Sequence, residues 1–128
     1  MAAPFPDRYA SVDVCDFTTT GRRTGRAHTI EIWFAVHDGT LYLIAGTGEG
    51  CDWLRNAAQK PEVEMSLGGE RWAGRARRVT DVAERELVGR LMGGKYSDFD
   101  GDAGIGLTQH AWRFEVPALA VGEWTPLP

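Results

Sequence analysis

Cysteine is scarce in this 128-residue chain: only Cys15 and Cys51 are present. Two thiols make no disulfide framework, and neither is surrounded by metal-ligand spacing. Reduced thiols in a cytoplasmic protein are the expectation. Basic charge is also short, with 14 Lys and Arg against 18 Asp and Glu and a net charge of −4. That balance argues against a nucleic-acid partner, because neutralising phosphates takes a basic surface. No apolar run reaches the roughly 18 residues of a membrane-spanning helix. The first residues, Met1 to Pro6, carry no charged leader followed by an apolar run, so no signal peptide is expected. Nothing repeats and no linker interrupts the chain. A single domain over 1–128 is expected, with residues 1–10 as a loosely held arm or a single helical turn. No Ser/His/Asp or Cys/His set suggests a nucleophilic catalyst.

What the sequence does contain is period-two alternation. Val12 and Val14 oppose Cys15 and Phe17 in a strand that ends at Gly21. Over 27–37, His28, Ile30, Ile32, Phe34 and Val36 share one parity, and Thr29, Glu31, Trp33, Ala35 and His37 share the other. Ten residues of that pattern have no helical reading. Asp38-Gly39 is a hairpin signal leading to a strand over 40–45. Val63, Met65 and Leu67 give a fourth strand, Gly68-Gly69 its turn, and 70–79 a fifth. In the fifth, Arg71, Arg75 and Arg77 read as a solvated face. Trp112, Phe114 and Val116 give a sixth, and 119–124 a seventh or its continuation.

Two helices are inserted. Trp53, Leu54, Ala57 and Ala58 share a helical face, with Asp52 expected as N-cap and Pro61 forcing a stop. Asp81 and Glu84 resemble a capping box that opens a second helix closing at Gly93-Gly94. The acidic loop 95–102 faintly resembles a calcium loop, but Ala103 stands where glycine is needed, so no metal is expected. Many strands in few residues predict a mainly β, closed or nearly closed small barrel.

The stretch Thr18 to Arg26, TTTGRRTGR, is the most informative. Gly21 and Gly25 permit turn geometries closed to other residues. Threonine hydroxyls and arginine forks add donors, and donors gathered on a tight turn suit an anion such as phosphate. The competing reading is a solvated hairpin tip. A second glycine loop, Gly46 to Gly50, runs into the first helix, a weaker anion-site pattern.

These residues resemble the deazaflavin (F420)-dependent nitroreductase family, within the split β-barrel, FMN-binding-like oxidoreductases of six or seven mostly antiparallel strands. Thr18 to Gly25 is similar to that family's Thr-Thr-Gly-Arg-basic-Ser/Thr-Gly turn. Residues 53–63 resemble its helix-to-strand passage, and residues 74–80 the strand before its long helix. The resemblance implies an F420H2-dependent reductase that transfers a hydride to a small electron-poor acceptor, a quinone, nitroaromatic or enone. It implies that Arg22, Arg23 and Thr24 take the cofactor phosphate with Thr19 and Thr20 beside them. Thr47 and Gly48 would border the deazaflavin, with Trp53 and Asn56 supporting the loop. Tyr96 and His28 are candidates for proton delivery, and Trp33, Tyr96 and Phe99 for substrate contact. For His28 and Trp33, packing in the barrel wall is the competing reading. Gly48-Glu49-Gly50 and His28 depart from positions where the family carries positive charge. An FMN-dependent reductase or oxidase and a non-catalytic cofactor carrier remain the alternatives. Barrels of this group are often homodimers, although no stretch here marks a partner surface.

Overall fold

Alternating burial along the chain builds one curled antiparallel sheet. The structure is a computed structural model that describes residues 4–46, 48–96 and 116–128. Its strands are β1 (Val14–Thr20), β2 (Ala27–Trp33), β3 (Ala35–His37), β4 (Thr40–Ile44), β5 (Glu62–Leu67), β6 (Glu70–Arg78) and β7 (Ala118–Pro126). The helices are α1 (Asp52–Gln59) and α2 (Val82–Lys95). The sheet order is β2-β1-β5-β6-β7-β4-β3. Its two outer strands are therefore consecutive in the chain. The expected strand over 27–37 is one segment broken at Phe34, with β2 paired to β1 and β3 paired to β4. Such a break brings the ends of the sheet back to one residue and makes the split barrel.

The break has a local cause. Phe34 and Ala35 are both buried, at 0% and 3% exposure. Straight strands alternate faces, so two consecutive buried residues demand a bend. Bending strips Phe34 of ladder partners, and α2 supplies new ones from its C-terminal end. The Phe34 N–H donates to Tyr96 Oη at 3.1 Å, and Lys95 Nζ donates to the Phe34 carbonyl at 2.8 Å. Tyr96 Oη also donates to the Asp13 carbonyl at 2.6 Å and lies 3.0 Å from the Phe34 oxygen. Burial pushes the Lys95 amine down to about 8 and the Tyr96 phenol upward. These anchors explain why α2 continues past Gly93-Gly94, where a stop was expected. Glycine costs about 1 kcal/mol in a helix interior, and the contacts of Met92, Gly93, Lys95 and Tyr96 outweigh it.

Two cores flank the sheet. Inside lie Phe17, Leu41, Leu43, Met65, Leu119 and Val121, capped by Leu54 and Ala57 of α1. Outside, Tyr42, Ile44, Ala118 and Ala120 receive Val88 and Met92 of α2. Leu41 to Ile44 is buried on both faces for that reason. Asp38 and Gly39 adopt positive φ (47° and 80°) in the hairpin expected there. Asp81 caps α2 by accepting the Glu84 N–H at 3.0 Å. Cys51, not Asp52, occupies the N-cap position of α1 and makes no side-chain cap bond. Arg71, Arg75 and Arg77 lie on the solvated face, paired with Glu64, Glu62 and Glu84. Trp112 and Phe114 lie outside the described residues.

The N-terminal arm is tied down from Phe5. That ring stacks on Trp72 at 4.7 Å and meets Trp124 edge-on at 4.9 Å. Asp7–Tyr9 form a 3-10 turn, and Arg8 and Tyr9 both bond Glu70.

Cys15 faces the inner core at 3% exposure, and burial pushes its thiol up to about 12. Cys51 is half-buried. Because the thiolate is the reactive form, a disulfide reagent at about pH 8 should titrate one thiol in the native protein and the second only on denaturation. Two fast equivalents would show that Cys15 is open to solvent.

Candidate active site

The turn between β1 and β2 folds over the start of α1. Parity sets what faces inward: Phe17 and Thr19 are buried, while Thr18 and Thr20 are half-buried on the other face. Thr18 Oγ1 bonds Thr29 Oγ1 at 2.7 Å on that outer side. Beyond Thr20 the chain reverses tightly. The Gly21 N–H donates to the Arg26 carbonyl at 2.7 Å, and the Gly25 N–H to the Gly21 carbonyl at 2.9 Å. Gly25 has φ +73°, a conformation that favours glycine. A Cβ on Gly21 would lie 2.8 Å from Thr24 Oγ1 and 2.9 Å from His28 Nε2. The absent side chain lets the threonine hydroxyl and the imidazole converge.

Below the turn is a cavity of about 390 Å³, lined by Thr19, Gly21, Arg22, Arg23, Thr24, His28, Ile30, Asp52, Trp53 and Asn56. Its floor is a polar knot on the buried side of α1. Asn56, only 5% exposed, accepts at Oδ1 from the Arg22 N–H (3.2 Å) and from Arg22 Nη1 (2.7 Å). Its amide donates to Thr19 Oγ1 at 3.5 Å. Arg22 Nη2 reaches Asp52 Oδ1 at 3.3 Å. Trp53 meets Phe17 edge-on at 5.6 Å and fixes the angle of α1.

The two arginines of the turn therefore divide. The Arg22 side chain is 12% exposed and tied to α1. Arg23 is exposed at the cavity rim. Thr24 Oγ1 accepts the Arg26 N–H at 3.2 Å, which leaves its own hydroxyl hydrogen free to donate. A guanidinium, a hydroxyl and an imidazole lining one cavity beside a tight turn are donors of the kind that suit an oxyanion.

Of the residues singled out in the sequence, Thr19, Arg22, Arg23, Thr24 and His28 come together here. Thr20 faces away. Gly48, with φ +85°, opens the 3-10 turn Gly48–Gly50 before α1 and does not line this cavity. Thr47 and Phe99 lie outside the described residues. Trp33 stacks on Tyr96 (4.3 Å, 5° between planes) beside the outer core, away from the turn. Asp52 was expected only as a helix cap, and its place in the cavity wall was missed. Asn56, expected to support the glycine loop before α1, makes its side-chain bonds to Arg22 and Thr19 of the β1–β2 turn.

A family model described as F420H(2)-dependent quinone reductase matches residues 3–103. This chain belongs to that family. Membership makes it an oxidoreductase enzyme whose cofactor is coenzyme F420. No curated protein matches it. Among solved structures, an F420-H2 dependent reductase is 21% identical, with 86% of this chain and 94% of that one covered at a TM-score of 0.67. A conserved hypothetical protein from Mycobacterium tuberculosis is 19% identical, with 87% and 72% covered and a TM-score of 0.69. A third, described as a domain-swapped dimer, is 21% identical, covering 86% and 80% at 0.67. All three share the split-barrel fold with this F420-dependent reductase. Among the described residues no helix is long and apolar enough to cross a membrane, and no three acidic, His or Cys side chains gather to hold a metal.

Proposed function

We propose that the protein uses reduced F420 to reduce a small electron-poor organic acceptor of the quinone, nitroaromatic or enone type, and that the β1–β2 turn holds the cofactor phosphate. The observation carrying this reading is the approach of Thr24 Oγ1 and His28 Nε2 over the Gly21 gap, in a cavity that Arg23 also lines. Those donors fit a phosphate, and the Gly21 gap leaves room for them to meet. Arg23 takes the phosphate charge. Thr24 and His28 donate to its remaining oxygens. Arg22 holds the turn against Asn56 and thereby sets where Arg23 points. The bound deazaflavin supplies the hydride, so the protein's work is positioning and exclusion of water.

Gly48 and Thr47, next along the chain from β4, border the ring in this reading, with Trp33 and Phe99 on the acceptor side. Tyr96 is reassigned. Its hydroxyl is committed to the backbone at the strand break, so it shapes the barrel wall. A homodimer is the assembly this reading favours, given the domain-swapped relative.

Incubating the protein with F420H2 and a panel of quinones, nitroaromatics and enones tests the proposal through recovery of the oxidised deazaflavin absorbance. Turnover with at least one class is expected. Tight F420 binding without turnover of any acceptor would instead identify a carrier.

A further inference from the structure

We propose that Asp52 selects the cavity's ligand by charge, favouring a monoanionic phosphodiester over a dianionic phosphomonoester. This rests on the reading that the β1–β2 turn holds the cofactor phosphate. Asp52 lines the same cavity as Arg22 and Arg23. Its side chain is 84% exposed, and among the described residues it pairs with Arg22 Nη2 at 3.3 Å. It does not cap α1, since Cys51 holds that position. Arg22 is already anchored by Asn56 at the shorter distance of 2.7 Å. The fold therefore does not depend on the carboxylate, yet it sits in the wall of an anion site.

Its electrostatic consequence is direct. The two guanidinium groups and the one carboxylate together leave a single positive charge in the wall. A monoanion balances that charge, whereas a dianion leaves an excess negative charge facing Asp52. Coenzyme F420 carries a phosphodiester, with one charge at phosphorus. FMN carries a phosphomonoester, which holds about 1.5 to 2 negative charges at pH 7. Carboxylates farther along F420 count for little, because solvent screens exposed charges beyond about 8–10 Å. Asp52 thus separates two cofactors that a basic turn alone would accept equally.

The test uses the parent protein, Asp52→Asn and Asp52→Ser, titrated by fluorescence with F420, FMN and riboflavin 4′,5′-cyclic phosphate. The last two ligands share a ring and differ in phosphate charge. The parent should bind the cyclic diester more tightly than FMN. Removing the carboxylate should tighten binding by about threefold per ligand charge at an exposed site, hence about threefold for the diesters and about tenfold for FMN. Thermal melts confirm that the variants are folded, and the serine variant guards against the asparagine amide taking over the Arg22 bond. If F420 binds but the ratio of FMN to diester affinity is the same in parent and variants, the charge-selection idea fails and the functional reading stands. If F420 does not bind the parent while that ratio still narrows, the functional reading fails and the charge selection stands. Failure of every ligand to bind ends both.

Discussion

Alanine at Arg22 and alanine at Arg23 should give opposite phenotypes, although the residues are neighbours of the same type. Removing the Arg22 side chain takes the 2.7 Å donor from Asn56 Oδ1, which lies in a residue only 5% exposed. A buried acceptor left without its donor costs about 1–3 kcal/mol of folding stability. Arg23 is exposed, and surface substitutions of that kind stay within about 0.5 kcal/mol. Its loss falls on binding instead. A charge-assisted bond to phosphate is worth about 1.5–3 kcal/mol, so F420 should bind roughly 10- to 150-fold more weakly. Losing both arginines should weaken binding by about 2–4 kcal/mol, because the loosened turn no longer aims its remaining donors. Chemical denaturation separates the folding effect from a fluorescence titration of F420. Equal loss of stability in both single variants would show that Arg23 is also structural.

Tyr96→Phe should destabilise the barrel by about 2–3 kcal/mol while leaving the ring stacked on Trp33. The hydroxyl accepts the Phe34 N–H and donates to the Asp13 carbonyl. Phenylalanine keeps the packing and leaves that N–H buried without an acceptor. The Phe34 carbonyl retains Lys95 at 2.8 Å, so the break loosens but does not come apart. Hydrogen exchange at the Phe34 amide should accelerate more than at neighbouring β2 amides. Full stability and protection together with a collapsed kcat would place the hydroxyl in the chemistry instead.

Where burial alternates, the sequence was a sufficient guide. Phe17, Met65 and Val63 point inward as their parity requires, and Asp38-Gly39 turns as its composition demands. The break at Phe34 was not legible. Ile32, Phe34 and Val36 continue one parity without interruption, and the lysine and tyrosine that supply the bent residue's missing partners lie about sixty residues later. The end of α2 was misplaced for the same reason: two glycines mark a stop locally, and distant anchors override them. At the site, the tight turn between Gly21 and Gly25 was legible, but the different surroundings of its arginines were not. Adjacent residues of one type differ only in what lies opposite them, and Asn56 is 34 residues from Arg22. Thr19 and Thr20 could have been separated in advance, because Phe17 fixes the inward parity and places Thr20 outside.

The central claim is that the β1–β2 turn holds the cofactor phosphate, and a crystal structure of the F420 complex tests it most directly. The phosphate should lie within hydrogen-bonding distance of the Arg23 guanidinium and Thr24 Oγ1, with Arg22 still bound to Asn56. A phosphate seated elsewhere, with Arg23 extended into solvent, would contradict it.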